Sequence, residues 1–152
     1  MTPRSSLDPV PAADSPRRVI ELDIPNDVRH IERVVERVQR ECRAMAYGQH
    51  QVMLNVPVAL TEALSNAILR GNADDPSKRV HVRASVDSNR LVIEVRDEGR
   101  GFDLDACTVD VGIATVERED GRGLFLMRNL MDRVECVSAR RGTTVRLTLN
   151  RA

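Results

Sequence analysis

The sequence predicts an α+β fold, a two-layer α/β sandwich in which helices cover one face of a mixed, mostly antiparallel sheet. Several short segments alternate apolar and polar residues, and neighbouring segments are joined by tight turns, which favours antiparallel pairing. Two longer segments place apolar residues three and four positions apart, as amphipathic helices do. Because each alternating strand has one apolar face, we expect the helices on a single side of the sheet.

Composition limits the function classes. The chain has 152 residues, a length sufficient for one domain with a hydrophobic core. Hydrophobic residues make up 41% and charged residues 30%, which is typical of a globular domain. Zero net charge argues against broad capture of nucleic acid or anionic membranes, and three aromatic residues give no stacking platform for single strands. No apolar run approaches the roughly 20 residues of a membrane span. We therefore expect a cytoplasmic protein without a direct nucleic-acid or membrane partner.

The cysteines and the first residues agree with that location. The three cysteines are scattered and contain no C-x-x-C pair, so a zinc site is not expected and free thiols in a reducing compartment are. Residues 1–16 are rich in Pro, Ser, Ala and Asp and lack the apolar core of a signal peptide. We expect a disordered leader at 1–16 and a single domain at 17–152.

The first strand and helix come next. The alternating run "RVIELDI" predicts a strand at 18–24, which Pro25 ends. Asn26 or Asp27 can cap the helix that follows, and Gly48 is its expected end. Apolar residues at steps of three and four mark its buried face: Val28, Ile31, Val34, Val35, Val38, Cys42 and Met45.

A second helix is predicted in "NVPVALTEALSNAILRGN", residues 55–72. Asn55 is its candidate cap, Pro57 suits an early helical position, and Gly71 suits the exit. The apolar face consists of Leu60, Ala63, Leu64, Ala67 and Ile68.

The rest of the chain reads as two hairpins separated by a loop and a helix. Strands at 80–86 and 91–95 are joined by the turn "DSN", and the last hairpin is "RVECVSA", "RRG" and "TTVRLTLN". Between them, residues 102–121 lack periodicity and a short helix follows at about 122–131. Loops beyond roughly 12–15 residues are uncommon in compact domains and often serve as lids.

The stretch "DEGRGFD" stands where that loop begins. Asp97 follows a strand, and Gly99 and Gly101 let the backbone pass close to a ligand. A carboxylate at this place can accept a hydrogen bond from the exocyclic amino group of adenine. The alternative is a plain hairpin turn, although such a turn should lead promptly into a partner strand.

The second candidate segment is "TEALSNAILR". Glu62, Asn66 and Arg70 are spaced i, i+4 and i+8, so they share one stripe of the helix at the edge of its apolar face. Asparagine offers a neutral oxygen to magnesium, which takes few protein ligands, and Glu62 could take a proton from a hydroxyl or water. The alternative is an amphipathic helix with an incidental polar edge.

The third candidate segment is "EDGRGLFLMRNL", in which Gly121 and Gly123 open a helix. Flexible glycines and the free N–H groups of a helix start together make a seat for phosphate. Alone, the pattern favours the alternative, a loop with a glycine-assisted helix start.

In this order the three segments are jointly specific. With "EALSN", "DEGRG" and "GRGL", the chain resembles the ATP-binding superfamily of gyrase, histidine-kinase catalytic domains and MutL-type proteins, known as GHKL. Within it, the stand-alone size, the short lid and "GRGLFLMRNLMD" most resemble the bacterial anti-sigma factor serine kinases. The resemblance covers roughly residues 18–150.

The resemblance implies a Bergerat-type ATP-binding fold with ATP and Mg²⁺ as cofactors. Asn66 would bind the magnesium and ATP, and Glu62 would be the general base or polarise the attacking hydroxyl. Asp97 would bind the adenine amino group beside Gly99 and Gly101. The triphosphate would lie against the "GRGL" residues Gly121, Arg122, Gly123 and Leu124.

The resemblance also implies partners. Family members phosphorylate a serine on a small antagonist protein with a sulfate-transporter/anti-sigma-antagonist (STAS) domain, and they sequester a sigma factor as homodimers. Many relatives carry His where this chain has Arg70, so one alternative is a non-catalytic, nucleotide-dependent interaction module. Another is an enzyme that transfers phosphate to histidine proteins whose dimerisation domain is a separate chain.

Overall fold

The computed structural model describes residues 16–99, 119–139 and 141–152, and five strands within them form one sheet. The strands are β1 (Arg18–Pro25), β2 (Arg79–Val86), β3 (Arg90–Arg96), β4 (Arg133–Ala139) and β5 (Gly142–Asn150). They lie in the order β1-β2-β3-β5-β4, and each of the four described pairs is antiparallel. The predicted α+β class is confirmed. The sheet was predicted to be mixed and mostly antiparallel, and the described strands include no parallel pair.

Three α-helices complete the described fold. They are α1 (Ile31–Ala44), which follows a 3-10 turn at Val28–His30, then α2 (Val56–Asn66) and α3 (Glu119–Leu130). Two π-helical segments, Gln51–Asn55 and Ala67–Gly71, extend α2 at either end into one continuous helix. Between β1 and β2 the chain passes through α1 and α2, and it returns to the end of the sheet where β1 stops, since Pro25 pairs with Arg79.

The helix start predicted at Asn26 or Asp27 is confirmed at Asp27. Its Oδ1 accepts a hydrogen bond from the backbone N–H of Arg29 at 2.9 Å, which satisfies one of the free donors of a helix start. Asn26 instead lies inside the protein, where only 6% of its surface is exposed. The two neighbouring residues therefore have separate roles, one at the surface and one in the interior.

The end of α1 differs from the prediction, which placed it at Gly48. The helix stops at Ala44, and Ala46 takes the left-handed conformation with φ of 59°. Tyr47 explains the difference, because its N–H bonds to Cys42 O at 3.0 Å while its ring is buried in the core. Burial of a large aromatic side chain thus decides where this helix ends.

The predicted cap at Asn55 is wrong. Helical backbone already begins before Gln51, and Asn55 has helical φ and ψ without a capping bond. Pro57 lies inside the helix and has no N–H, and the wider π turn before it accommodates the missing bond. Asn55 donates instead to Leu130 O at the C-terminus of α3, at 2.7 Å.

The core lies between the helices and one face of the sheet. Alternate residues of β2 and β3 are buried against the helices, as their period of two predicts. The largest fully buried side chains include Ile24, Leu60, Leu64, Ile68, Leu91, Ile93, Met127 and Leu147. Each such side chain contributes about 1.5–3 kcal/mol through burial.

One helix among the described residues, Gln51–Gly71, is long and apolar enough to cross a membrane by length and composition. The helix contains no continuous apolar run of that length, because Glu62, Asn66 and Arg70 interrupt its apolar residues. In the fold, the side chains of Leu60, Leu64 and Ile68 on this helix belong to the core.

The other face of the sheet carries charges that pair across strands. Arg83 contacts Glu21 at 3.3 Å, and Arg146 contacts Glu94 at 2.8 Å. Two open clefts of about 560 and 630 Å³ lie on this face, and Arg83, Glu94 and Arg146 line both of them. Exposed pairs of this kind contribute only about 0–1 kcal/mol each.

Candidate functional site

Asp97 is more buried than the other polar candidates that the structure describes, Glu62, Asn66 and Arg70. It follows β3 directly and is only 2% exposed. Its Oδ1 accepts the backbone N–H groups of Gly99 at 3.0 Å and Thr143 at 3.1 Å, and its own N–H donates to Thr143 O at 3.1 Å. From the described part of the chain, Oδ2 receives no hydrogen bond. The described residues thus fix the carboxylate through Oδ1.

The electrostatic setting of Asp97 favours an additional hydrogen-bond donor. Burial raises the pKa of its carboxyl, and the N–H groups of Gly99 and Thr143 act in the opposite direction. A donor placed on Oδ2 would stabilise the ionised form further. The free amino group of a purine is such a donor.

Three glycines surround Asp97 because there is no room for side chains. A Cβ at Gly71 would overlap Oδ2 of Asp97, and one at Gly99 would overlap the carbonyl oxygen of Gly71. A Cβ at Gly142 would overlap the carbonyl oxygen of Asp97, and the φ of Gly142 is 132°, which also favours glycine. The end of the long helix, the loop after β3 and the start of β5 therefore meet closely at this carboxylate.

Glu62 and Asn66 form the second part of the site. Both are half-buried on α2, and both face Gly123 near the start of α3. A Cβ at Gly123 would lie 2.9 Å from Glu62 Oε1 and 3.2 Å from Asn66 Nδ2. The structure thus brings "EALSN" and "GRGL" together, and Gly71, five residues after Asn66, brings the same helix to Asp97. Arg70, in contrast, is exposed.

The start of α3 is earlier than predicted. The helix begins at Glu119 and not near Arg122, so Gly121 as well as Gly123 lies in its first two turns. Leu124 is 8% exposed and its side chain packs into the core, so only its backbone could face a ligand. The surroundings of Gly121 and Arg122 lie outside the described residues.

Other predicted features also fall outside the described ranges. They are the leader at 1–16 except its last residue, Gly101, and the lid at 102–121 except its last three residues. They remain predictions.

The donor set suits magnesium better than a transition metal. Among the described residues, no group of three or more His, Cys, Asp or Glu side chains could hold a metal ion. Asn66 has an amide oxygen and Glu62 a carboxylate, both on one stripe of the same helix. Magnesium binds one or two such oxygens and completes its shell with waters and phosphate oxygens, so the residues fit the ion.

Thr143 and Gly142 were missed by the sequence analysis. Thr143 is 1% exposed and holds Asp97 through both backbone groups. The antiparallel register of β3 and β5, which pairs Arg96 with Thr144, places Thr143 opposite Asp97. A glycine at the first position of a strand could have signalled a close backbone approach, but "RRG" was read only as a turn.

Comparison with known families and curated proteins shows the family to which the chain belongs. Residues 24–149 match the family model of the histidine kinase-like ATPase domain. The serine-protein kinase RsbW of Bacillus velezensis is 32% identical over 135 residues, covering 85% of this chain and 83% of that protein. The anti-sigma F factor of Oceanobacillus iheyensis is 30% identical over 99 residues, covering 63% and 68% respectively.

Solved structures share the fold. The RsbU and RsbW domains of Rv1364c from Mycobacterium tuberculosis superpose with a TM-score of 0.63 and 17% identity, over 89% of this chain and 33% of that one. The mycobacterial sensor histidine kinase MprB gives a TM-score of 0.55 at 17% identity, over 88% and 98%. At these identities the likeness concerns the fold alone.

Proposed function

Since the chain belongs to the histidine kinase-like ATPase family, and to the RsbW and anti-sigma F factor kinases within it, we propose that it is an anti-sigma regulatory kinase. It binds Mg·ATP and transfers the γ-phosphate to a serine on a small antagonist protein. The observation that carries the proposal is one helix that joins Asp97 at one end to Glu62 and Asn66 opposite Gly123.

In the proposed complex, the adenine ring lies beside Asp97. The exocyclic amino group donates to Oδ2, because Oδ1 already accepts two backbone N–H groups. Close packing of Gly71 and Gly99 against Asp97 fixes the direction of its carboxylate, since a side chain at either glycine would overlap its neighbours. Guanine presents a carbonyl oxygen where adenine presents the amino group, so a carboxylate here repels it.

The phosphates in turn lie toward Gly123, near Asn66 and Glu62. Asn66 would hold the magnesium ion, which when bound neutralises phosphate charge. Glu62 takes the proton of the partner's serine hydroxyl. At the same time the serine oxygen forms a bond to the γ-phosphorus, and the bond between the γ-phosphorus and the leaving ADP oxygen breaks. The serine comes from the partner, so the chain needs no nucleophile. Positioning and charge neutralisation supply most of the rate.

The partners follow from the family. We propose that the substrate is an antagonist with a STAS domain, and that the unmodified antagonist competes with a sigma factor for this chain. A homodimer of the domain at 17–152 would carry out this exchange in the cytoplasm. The relatives named serine-protein kinase and anti-sigma F factor support both activities.

ADP formation tests the proposal. The purified chain with Mg·ATP is expected to release ADP faster when a purified STAS-domain protein from the same genome is added. A chain that binds ATP but releases no more ADP with the antagonist present would be an interaction module and not a kinase. An antagonist whose candidate serine is replaced by alanine is the control for transfer.

Replacing Gly123 by Ala is expected to slow phosphoryl transfer by roughly tenfold to a hundredfold, because displacement of catalytic groups by about 1 Å has effects of this size. The new Cβ would lie 2.9 Å from Glu62 Oε1 and would push it aside. Thermal stability should not fall, since alanine favours helix.

Gly48→Ala is the matched control for this variant, because a Cβ there would meet only Gln51 Oε1 at 3.9 Å. Transfer at the wild-type rate by the Gly123 variant would contradict the assignment of Glu62 and Asn66.

Replacing Arg70 by His tests the departure from the family. A guanidinium keeps its charge at all accessible pH, whereas an unperturbed histidine has a pKa of about 6.5. If the cation assists transfer, the rate of the Arg70→His variant should fall severalfold between pH 6 and pH 8 while the wild-type rate stays level. Equal pH profiles of the two proteins would show that this position does not take part.

A further inference from the structure

A pair of buried asparagines lies directly behind the loop that carries Asp97. Asn72 is 1% exposed and Asn26 is 6% exposed, and Asn72 Nδ2 donates to Asn26 Oδ1 at 2.9 Å. Two adjacent buried amides are unusual, because each polar group must find a partner inside the protein. Neither residue belongs to the three segments that carry the ATP site.

Every polar atom of the Asn72 side chain is used. Besides Asn26, its Nδ2 donates to Arg79 O at 2.9 Å, and its Oδ1 accepts the backbone N–H of Glu98 at 2.7 Å. The bond from the Glu98 N–H is the shortest of the three, and Glu98 is the residue next to Asp97. Asn72 therefore ties the end of the long helix to the loop at residues 97–99.

Asn26 anchors this arrangement from the other side. Its Nδ2 donates to Ile68 O at 3.2 Å and to Asp75 O at 3.0 Å. The end of β1, the last turns of the helix and the approach to β2 are thus linked through two side chains. With Asn26 held in this way, Asn72 has little freedom to move away from Glu98.

The side chain of Glu98 is also held. Its Oε1 accepts the backbone N–H of Arg79 at 3.1 Å, and its Oε2 lies 2.6 Å from His81 Nε2. The hydrogen bond with His81 lowers the pKa of the Glu98 carboxyl. Both the backbone and the side chain of Glu98 are therefore fixed. The backbone from Asp97 to Gly99 then has little freedom to rotate.

We infer that Asn72 is a positioning residue that sets the adenine preference of the site, through the bond from the Glu98 N–H to its Oδ1. The inference rests on the proposed function of Asp97 as the adenine acceptor. If residues 97–99 rotate, the Gly99 N–H no longer donates to Asp97 Oδ1. Either oxygen of the carboxylate can then face the base. Base discrimination is then lost even though the rest of the site persists.

The test compares binding of ADP and inosine diphosphate (IDP), which lacks the exocyclic amino group of adenine. Wild-type protein should prefer ADP, and Asn72→Ala should lower the ratio of the two affinities by about tenfold, the effect of one lost bond. Asn72→Asp keeps an oxygen for the Glu98 N–H and should retain the preference despite lower stability.

Gln51→Ala is the matched stability control. Gln51 is another buried amide, 8% exposed, that donates to Asn150 O at 2.8 Å and accepts from Gly48 and Ala152, away from Asp97. This variant should lose stability as Asn72→Ala does but keep the ADP preference. An equal loss of preference in both variants would overturn the inference, because general destabilisation would then explain it.

The outcomes distinguish adenine recognition by Asp97 from the positioning role of Asn72. A wild-type protein without preference for ADP would contradict adenine recognition by Asp97 itself. A wild-type preference that persists in Asn72→Ala would overturn only the role of Asn72. If Asn72→Ala does not fold, Asn72→Ser replaces it. Amide hydrogen exchange of Glu98 in the wild type adds a test without mutation, in which protection is expected and rapid exchange would overturn the bond.

Discussion

Replacing Asp97 by Asn is expected to weaken binding of ATP and ADP by about 10- to 100-fold, the effect of losing a hydrogen bond to a charged group. The amide oxygen of the variant can keep the bonds from Gly99 and Thr143, but its NH₂ group then takes the place of Oδ2 and faces the amino group of adenine. Two donors repel, so the base loses its only polar contact with this carboxyl. Calorimetric titration of the purified chain with ADP measures the effect.

Asp87→Asn is the matched control for this change. Asp87 also lies at the end of a strand and also accepts two backbone N–H groups through Oδ1, from Asn89 and Arg90 at 2.8 Å each. It lies at the opposite end of β2 and β3 from Asp97. Nucleotide affinity should not change in Asp87→Asn, and an equal loss in both variants would point to a stability effect.

Replacing Glu62 by Gln is expected to slow phosphoryl transfer by about 10²- to 10⁴-fold, the usual contribution of a general base. Binding of ADP should remain, since Glu62 faces Gly123 and the adenine end of the site lies beyond Gly71. Glutamine has nearly the same shape as glutamate and cannot take the proton. Single-turnover transfer from Mg·ATP to a purified STAS-domain protein measures the rate.

Glu36→Gln provides the control, because Glu36 is an exposed glutamate on α1. It should leave both transfer and binding unchanged. If Glu62→Gln transferred phosphate at the wild-type rate, Glu62 would not be the general base, although ATP binding by Asp97 would be unaffected.

The fold could be predicted where local pattern decides it. The strands at 79–86 and 90–96 follow from strict alternation and a short turn, and the structure changes their bounds by one residue at most. Helix ends depended on contacts that no local pattern contains. The end of α1 is set by burial of Tyr47, and the π turn before Pro57 extends the next helix past its predicted cap.

Among the residues of the candidate site, too, some could be placed from local spacing and others only from contacts between distant segments. Glu62 and Asn66 could be placed on one stripe of a helix from their spacing alone, and the structure confirms that they face one neighbour, Gly123. Thr143 could not be placed at Asp97, because their contact depends on the register of strands far apart in sequence. Asn72 stands after the predicted helix exit at Gly71 without a local signal of its role, and only its buried contacts reveal its link to Glu98.

The most direct test of the central claim is the chemical nature of the transferred phosphate. The purified chain is incubated with Mg²⁺, γ-labelled ATP and a purified STAS-domain protein from the same genome, and the labelled product is treated with acid. A serine kinase predicts label on the STAS-domain protein that survives acid and maps to a serine. Acid-labile label would indicate transfer to histidine, and that result, or no transfer at all, would contradict the account.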